Sequence, residues 1–308
     1  MSSPVASEVT EPPTQVGGGA PLPSHMQAVK APRYGSPDVL ELCQLPVPLP
    51  GMGEVLVQVA AAGLSRAALH LLTGTPYLLR LAGFGLRKPK RPVGTELAGT
   101  VVALGPGTTR LQVGDEVFGY GFGTCAKYAT GKEVKLAIKP PEVPFAQAAA
   151  LVDSASTALQ AVRDHAQVGA GQRVLVLGAS GGVGSFVVQI AAHLGAQVTG
   201  TASAAKVDFV RSLGATEVID HGSADPLATG EPYDVIIDIG GNRPVAAMRA
   251  ALAADGTLVI VGGEGGGKLT GGFQRQLLAP IWARRGTQSV KTFIASEDHG
   301  SLEDLAAM

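Results

Sequence analysis

Two patterns of apolar residues divide the chain near residue 150. Before this point, short runs such as residues 54–60 (EVLVQVA) alternate between apolar and polar positions, and Gly or Pro bounds them. After it, continuous apolar runs such as 173–177 (RVLVL) lead into glycine turns and then into apolar positions at helical spacing. Alternation is typical of a strand with one buried face, and a continuous run is typical of a parallel strand buried on both faces. The pattern predicts a β-rich domain followed by an α/β domain.

The second half repeats one unit, a strand followed by a turn and a helix. Gly195 and Gly214 close two of the predicted helices, since glycine readily adopts the left-handed conformation that ends a helix. Val245, Met248 and Leu252 mark a third helix. Strands that alternate with helices indicate a doubly wound parallel sheet, the Rossmann architecture. The predicted strands are 173–177, 197–201, 217–220, 233–239, 257–261 and 290–295, after 54–60, 99–104 and 116–118 in the first half, where residues 71–90 are predicted to form a long loop.

The turn after the first parallel strand carries the most informative glycines. Residues 178–184 read GASGGVG, so that Ser180 stands where a standard GxGxxG turn has its middle glycine. Backbone N–H groups of such a turn can approach a pyrophosphate, to which the N-terminus of the next helix presents partial positive charge. With a buried strand before it and an amphipathic helix after it, the turn predicts a dinucleotide site containing Ser180, Gly181, Gly182 and Val183. A tight turn that holds no ligand is the alternative.

The end of the second parallel strand predicts which dinucleotide binds. NAD sites usually carry Asp or Glu about 20 residues after the glycine turn, where the carboxylate accepts a hydrogen bond from the ribose 2′-hydroxyl. Residues 200–206 (GTASAAK) contain no acid. Ser203 can donate to a 2′-phosphate and Lys206 can neutralise its charge, which favours NADPH as the cofactor. An ordinary surface lysine at position 206 is the alternative.

Composition and charge exclude several classes of protein. Apolar residues make up 45% of the 308 residues and charged residues 16%, which is typical of a globular chain. A net charge of −1 draws the chain neither to nucleic acid nor to an anionic membrane. Two cysteines build no disulfide framework. Residues 1–25 are rich in Gly, Pro, Ser and Thr without an apolar run, so we predict a disordered tail ahead of a soluble, cytoplasmic protein.

Four motifs resemble those of one family, in the same order along the chain. They are residues 34–42 (YGSPDVLEL), 94–99 (GTELAG), 113–117 (VGDEV) and 181–184 (GGVG). From residue 26 onwards the chain is similar to quinone-oxidoreductase-like members of the medium-chain dehydrogenase/reductase superfamily. The resemblance implies a GroES-like substrate domain over 26–150, a Rossmann domain over 151–296, an active site between them and a homodimer. It also places Thr157 near the cofactor, and Gly240, Val261 and Gly262 beside the nicotinamide half.

The resemblance has departures that bear on chemistry. Zinc-dependent relatives carry Cys and His where this chain has Ser65 and Thr95, and neither hydroxyl is a competent zinc ligand, so no metal is expected. The cysteine-rich lobe for structural zinc is missing, since Cys125 stands alone. Zinc-free relatives often carry Asn-Pro-x-Asp where residues 65–68 read SRAA. Residues 297–308 look like the start of a return segment to the substrate domain, truncated at the end of the chain.

These features predict a metal-free reductase that transfers a hydride from NADPH to a quinone or an α,β-unsaturated carbonyl. Such small-molecule acceptors are electrophilic without a Lewis acid, so the protein would orient them and exclude water. Ser65 and Tyr77 are the candidates for hydrogen bonding to the carbonyl oxygen, although Tyr77 is more simply a loop aromatic that packs locally. Asp153 and Asp238 are predicted structural acids at a helix start or a strand end. The alternatives are an NADPH-binding sensor or partner subunit without turnover, and a zinc-free alcohol dehydrogenase.

Overall fold

The computed structural model describes residues 21–308 except 91, 229, 242, 264–266, 273, 277 and 279–285. Residues 1–20 of the predicted disordered tail lie outside the described residues, and His25 already begins a strand. This strand, β1 (His25–Lys30), pairs with β2 (Glu41–Pro46) to form a small antiparallel sheet. In the described part of the chain, no helix combines the length and the apolar character needed to cross a bilayer.

A five-stranded antiparallel sheet dominates the first half. Its strands are β3 (Glu54–Gly63), β4 (Glu96–Leu104), β5 (Glu116–Tyr120), β6 (Tyr128–Lys132) and β7 (Leu136–Ile138), in the spatial order β6-β3-β4-β5-β7. Neighbouring residues of β3 face two cores: Val55 and Val57 pack with Leu97, whereas Leu56 packs with Val102 in a smaller cluster. Both faces of the sheet are therefore covered at β3.

The prediction of a long loop over residues 71–90 is wrong for the first part of this segment, which is mostly helical. Helix α1 (Arg66–Thr73) is followed by a short α2 (Tyr77–Leu79) and a π-helical turn, Arg80–Phe84. Gly74 ends α1 in the left-handed conformation, at φ 62°, where its N–H donates to the carbonyl of His70 at 2.8 Å. Alanine and leucine fill residues 67–69 and 71–72, and both are strong helix formers, so local propensity favours a helix over a loop here.

One helix connects the two halves of the molecule. Helix α3 (Phe145–Leu159) continues into a π-helical turn, Gln160–Ala166. Its middle residue, Val152, is buried in one cluster with Phe118 of β5, whereas its last residue, Leu159, is buried in the core of the second half of the chain. The boundary predicted between residues 150 and 151 lies inside this helix, so α3 belongs to both cores.

Six parallel strands form the sheet of the second half, as predicted. They are β8 (Arg173–Leu177), β9 (Gln197–Ala202), β10 (Glu217–Asp220), β11 (Tyr233–Asp238), β12 (Leu252–Ile260) and β13 (Ser289–Thr292). Their spatial order is β10-β9-β8-β11-β12-β13. The order reverses between β8 and β11, and in doubly wound sheets ligands bind at the carboxyl ends of the strands at this point.

Helices α4 (Gly182–His193), α5 (Val207–Ser212) and α6 (Val245–Ala250) connect these strands. Leu252, predicted to lie on the third helix, instead begins β12 and pairs with Tyr233. Because α6 ends at Ala250 and Ala251 caps it, the next apolar residue, Leu252, begins the strand, although its side chain still packs in one cluster with Met248.

The last helix, α7 (His299–Ala306), returns to the first half. Its Leu302 is fully buried in the cluster that contains Phe118 and Val152. Asp298 caps the helix by accepting a hydrogen bond from the backbone N–H of Ser301 at 2.9 Å. This helix therefore packs against α3 and adds apolar surface to the first core.

Candidate active site

The glycine turn after β8 uses its glycines in two different ways. Gly178 adopts the left-handed region at φ 91°, and its N–H donates to Thr201 Oγ1 at 3.0 Å. A Cβ atom on Gly184 would lie 2.1 Å from the carbonyl oxygen of Gly178, so only glycine lets α4 approach the turn. These two glycines hold the turn itself in shape.

Two other glycines leave room in front of the turn. A Cβ atom on Gly181 would meet no described atom closer than 3.4 Å, and one on Gly240 would meet none closer than 3.9 Å. Gly181 is the residue before α4, whose N-terminal N–H groups have no partner within the helix. The open space at Gly181 and Gly240 and the N-terminus of α4 together form a cradle that fits the pyrophosphate of a dinucleotide.

A nucleotide cavity of about 280 Å³ opens on one side of this cradle. Ser180 and Gly240 line it, as does Thr201 near the end of β9. The complete lining is Leu177, Gly178, Ser180, Thr201, Ala202, His221, Pro226, Asp238, Gly240 and Arg243. It lies at the carboxyl ends of β8, β9 and β11, where the strand order predicts a ligand.

The residues predicted to select NADPH lie beside the nucleotide cavity, not in its lining. Ser203 follows Ala202, the last residue of β9, and its carbonyl accepts from the N–H of Lys206 at 2.8 Å. The Lys206 side chain is exposed. Sequence reasoning missed His221, which follows β10 and whose N–H donates to the carbonyl of Ala202 at 3.1 Å. An imidazole at the carboxyl end of the strand next to β9 was the signal that could have identified it.

A buried ion pair lies at the end of β11. Asp238 is 1% exposed, and its Oδ2 lies 2.8 Å from Nη2 of Arg275. Gly241 donates to Oδ1 of Asp238 at 3.0 Å, and Arg275 also donates to the carbonyl of Arg243 at 2.7 Å. Burial raises the pKa of Asp238, and the guanidinium of Arg275 opposes the rise. Asp238 is the last residue of its strand, as predicted, and Arg275 and Arg243 are two further cationic residues that sequence reasoning missed.

A cleft of about 600 Å³ opens on the other side of the cradle, between the two halves of the chain. Thr157, predicted near the cofactor, lines this cleft, and so do Val261 and Gly262, two of the three residues predicted beside the nicotinamide half. Gly240, the third, lines the nucleotide cavity instead. The cleft also reaches Gly181, Gly182 and Val183 of the glycine turn. Ser65, the residue before α1, lines the same cleft from the first half.

Two carboxyl groups lie next to Ser65. Glu96, at the start of β4, is 2% exposed, and burial raises its pKa to about 7, to which the negative charge of Asp153 contributes. Asp153 lines the cleft, and burial raises its pKa as well. The prediction that Asp153 is a structural acid at a helix start is wrong on position: it lies within α3, on the helix face that borders the cleft.

An apolar cavity of about 310 Å³ adjoins the cleft. The two share Leu64 and Ser65 in their linings. The remaining residues around the apolar cavity are mostly aliphatic or aromatic, among them Leu40, Leu69, Leu72, Phe84, Pro92 and Phe122. The lining of this cavity therefore suits an apolar molecule.

Tyr77, the second predicted donor, lies elsewhere. It begins α2, is 40% exposed, and its ring stacks under the guanidinium of Arg80 at 4.6 Å. Its backbone N–H donates to the carbonyl of Lys268 at 2.8 Å. Ser65 is in the lining of both the cleft and the apolar cavity, and Tyr77 is in neither. Among the described residues, no three or more His, Cys, Asp or Glu side chains are grouped so that they could hold a metal ion.

The chain is similar to known proteins over most of its length. A family model described as alcohol dehydrogenase GroES-like domain matches residues 51–188, and one described as zinc-binding dehydrogenase matches residues 182–298. The chloroplast envelope quinone oxidoreductase homolog of Arabidopsis thaliana is 34% identical over 252 residues, 77% of this chain and 74% of that protein. An NADPH-dependent alkenal/one oxidoreductase of the same plant is 34% identical over 239 residues, 73% of this chain and 60% of that protein. The structure of the quinone oxidoreductase from Coxiella burnetii matches with a TM-score of 0.76 at 27% identity, covering 92% of this chain and 87% of that one.

Proposed function

The chain belongs to the quinone-oxidoreductase-like members of the medium-chain dehydrogenase/reductase superfamily, and on that premise we propose that it is an NADPH-dependent, metal-free reductase of quinones or α,β-unsaturated carbonyls. Membership makes it an oxidoreductase with a nicotinamide cofactor. The finer assignment of cofactor, metal and acceptor is supported by the contacts of the site.

The observation that carries the proposal is the position of the glycine cradle between two cavities. Ser180 and Gly240 border the nucleotide cavity, where they would hold the adenosine side of the cofactor. Thr157, Val261 and Gly262 border the cleft, where they would hold the nicotinamide side. When bound in this way, NADPH supplies the hydride, and the protein fixes its direction of transfer.

The surroundings of the nucleotide cavity support NADPH over NADH. Residues 200–206 offer no acid to a ribose 2′-hydroxyl. Ser203 directly follows Ala202 of the cavity lining, and Lys206 comes three residues later. His221 is a third group that would donate to a 2′-phosphate there. The only acid in the cavity lining, among the residues described, is Asp238, and Arg275 balances its charge. The site therefore suits an additional phosphate better than a free hydroxyl.

The acceptor side supports an apolar carbonyl compound. Ser65 lines both the cleft and the apolar cavity, so its hydroxyl would donate to the carbonyl oxygen while the rest of the acceptor lies among Leu69, Leu72 and Phe84. Ser65 and Thr95 stand where zinc-dependent relatives have their ligands, and hydroxyls bind zinc poorly. A quinone or enone accepts a hydride without such a metal, which matches this set of groups.

We further propose that the chain acts as a cytoplasmic homodimer. In support, β13 is an edge strand of the parallel sheet, and Ile294 just beyond it is among the most exposed large apolar residues of the described chain. An edge strand beside exposed apolar surface is available for pairing with a second copy. Light scattering of the purified chain would give twice the monomer mass.

The experiment that tests the function measures oxidation of NADPH and of NADH with three substrates: a 1,4-benzoquinone, an alkenal and, in the reverse direction, a simple alcohol. We expect the quinone and the alkenal to be reduced, with a preference for NADPH. Tight binding of NADPH, seen by its fluorescence, without any turnover would instead assign a sensor or partner subunit. Oxidation of alcohols in preference to reduction of enones would assign a zinc-free alcohol dehydrogenase.

A further inference from the structure

Three side chains from three separate elements meet beneath the cleft. Glu96 comes from β4, Asp153 from α3 and Ser65 from the residue before α1. The Ser65 hydroxyl lies beside both carboxyl groups and favours the charged form of each. The Asp153 carboxylate is near enough to Glu96 to oppose its ionisation. Ser65 and Asp153 border the cleft, while Glu96 lies behind them.

The fold makes room for Glu96 at a specific position. A Cβ atom on Gly63, at the end of β3, would lie 2.7 Å from Oε2 of Glu96 and 2.5 Å from the carbonyl oxygen of Ala149. Any other residue at position 63 would displace either α3 or the carboxyl group. Glycine at this position therefore keeps Glu96 directly between β3 and α3.

Two polar atoms of this cluster lack hydrogen-bond partners. Oε1 of Glu96 and Oγ of Ser65 are both fully buried, and no described group meets either of them at hydrogen-bonding geometry. A buried polar atom without a partner is costly, and such atoms in native proteins often have a functional reason. Because Ser65 lines the cleft, a ligand oxygen bound there would give its hydroxyl a partner.

We propose that Glu96 and Asp153 share one proton, and that Glu96 passes it through the Ser65 hydroxyl to the oxygen of the acceptor once the hydride has been transferred. Two carboxyl groups at close range in a buried site hold one proton between them more readily than none. The proposal rests on the proposed function, which supplies the hydride. Ser65 is the catalytic residue in this scheme, because it touches the acceptor, and Glu96 and Asp153 are positioning residues that act through it.

The hydride of NADPH forms a C–H bond at the electrophilic carbon of the acceptor, which is reduced as NADPH is oxidised to NADP⁺. The electron pair displaced from the acceptor's π system moves to its carbonyl oxygen. Ser65 Oγ gives its proton to that oxygen and takes the proton of the Glu96 carboxyl group, which is left as a carboxylate. Asp153, which borders the cleft, then relays a proton from water back to Glu96.

Other titratable groups face Glu96 and Asp153. Tyr120 of β5 pairs with Glu96 across the sheet, and its hydroxyl donates to the carbonyl of Val152 at 3.1 Å. Burial raises the pKa of the Tyr120 hydroxyl and of the Cys125 thiol, and the charge of Glu96 adds to both effects, so both stay neutral near pH 7. Glu297 also borders the cleft and raises the pKa of Asp153. None of these three groups supplies a positive charge that would favour ionisation of Glu96 at lower pH.

The sign of the pH dependence follows from the protonated form being the active one. Because Glu96 must carry its proton, turnover is complete below a pH of about 7 and is lost as the pH rises through this value. Steady-state turnover of an alkenal at saturating NADPH, from pH 5.5 to 9, should fall about tenfold per pH unit on the alkaline side.

Glu96→Gln should lower kcat about 10- to 100-fold at pH 6, with the affinity for NADPH unchanged. It should also remove the alkaline limb of the profile, that is, the fall of turnover between pH 6 and 8. Asp153→Asn should move the limb to lower pH, because a negative charge that holds the proton on Glu96 is gone. Ser65→Ala should lose the limb, and Ser65→Thr, which retains a hydroxyl, should recover it. Glu142→Gln, at an exposed carboxyl outside the cleft, is the matched control and should change neither rate nor profile.

An alkaline limb that is the same in wild type and Glu96→Gln would overturn the relay while leaving the reductase assignment intact. A second measurement needs no turnover: infrared titration of the intact chain should show a protonated-carboxyl band at pH 6 that is missing from Glu96→Gln. Absence of that band from the wild-type protein would overturn the proposal even for a preparation that reduces no acceptor, and absence of turnover with the band present would count against the reductase function alone.

Discussion

The two sides of the candidate active site are built differently. The nucleotide side is made largely of backbone from one short stretch, residues 178–184, with glycines that either hold the turn or leave space for a ligand. The acceptor side is made of side chains, and Ser65, Glu96 and Asp153 come from positions far apart in the sequence. A site built from backbone tolerates few substitutions at its glycines, whereas a site built from side chains can lose one group and still fold. This difference can be tested by substitution.

The largest loss of stability is expected at Gly184, where the backbone of α4 lies against the backbone of the glycine turn. In Gly184→Ala, the new Cβ atom would lie 2.1 Å from the carbonyl of Gly178, so α4 must shift. We expect a loss of about 3 kcal/mol in the free energy of unfolding, a Tm lower by about 6–12 °C, and no measurable NADPH binding. Gly169→Ala is the matched control, because its Cβ meets nothing closer than 3.9 Å. Equal Tm values for the two variants would show that the turn does not need glycine at 184.

The second substitution separates ligand space from fold. Gly240→Val places its side chain in the nucleotide cavity without meeting protein near the Cβ atom. We expect the Kd for NADPH to rise about 100-fold, which corresponds to about 2.7 kcal/mol, with Tm unchanged. Fluorescence titration and thermal unfolding of the same sample measure the two quantities. NADPH binding at wild-type affinity would exclude this cavity as the cofactor site.

On the acceptor side, one hydroxyl should affect turnover and nothing else. We expect Ser65→Ala to lower kcat/KM for a quinone or an alkenal about 10- to 100-fold, the range for losing a hydrogen bond to a developing charge, with the Kd for NADPH and the Tm unchanged. Tyr77→Phe removes a hydroxyl outside both cavities, and we expect its turnover to stay within about twofold of wild type. A larger loss of kcat/KM in Tyr77→Phe than in Ser65→Ala would instead identify Tyr77 as the hydrogen-bond donor.

The smallest effect is expected at the rim of the nucleotide side. Lys206 is exposed, so its attraction for a 2′-phosphate is screened by water and salt. We expect Lys206→Ala to weaken NADPH binding about 3- to 5-fold at low salt and less at high salt, with NADH binding unaffected. Lys132→Ala, at another exposed lysine outside the site, is the control. An unchanged ratio of the two affinities would make Lys206 an ordinary surface lysine.

What the sequence predicts well is what depends on neighbouring residues. The strands 173–177 and 217–220 are found at the same bounds in the structure, because a continuous apolar run between turns leaves few alternatives. The glycine turn is likewise recognised from one stretch of chain. The helical segment at 66–84 was missed because its alanines and leucines were outweighed by nearby glycine and proline.

The sequence does not predict contacts between distant positions. Glu96 and Asp153 come together only because β4 and α3 pack against each other, and the spacing between residues 96 and 153 does not predict this contact. His221 reaches the nucleotide cavity through the pairing of β10 with β9, and Arg275 forms an ion pair with Asp238, which lines the same cavity. Each of these contacts depends on tertiary packing, which a single sequence does not display.

Helix α3 also fixes the spacing between residues on the two sides of the site. Asp153 and Thr157 are four residues apart on it, so both face the cleft, separated by about one helical turn or roughly 6 Å along its axis. Since one continuous helix carries both residues, helix geometry fixes their spacing. Under the proposals above, the same helix would set the distance between the carboxyl cluster and the cofactor, and the acceptor would have to fit within that distance.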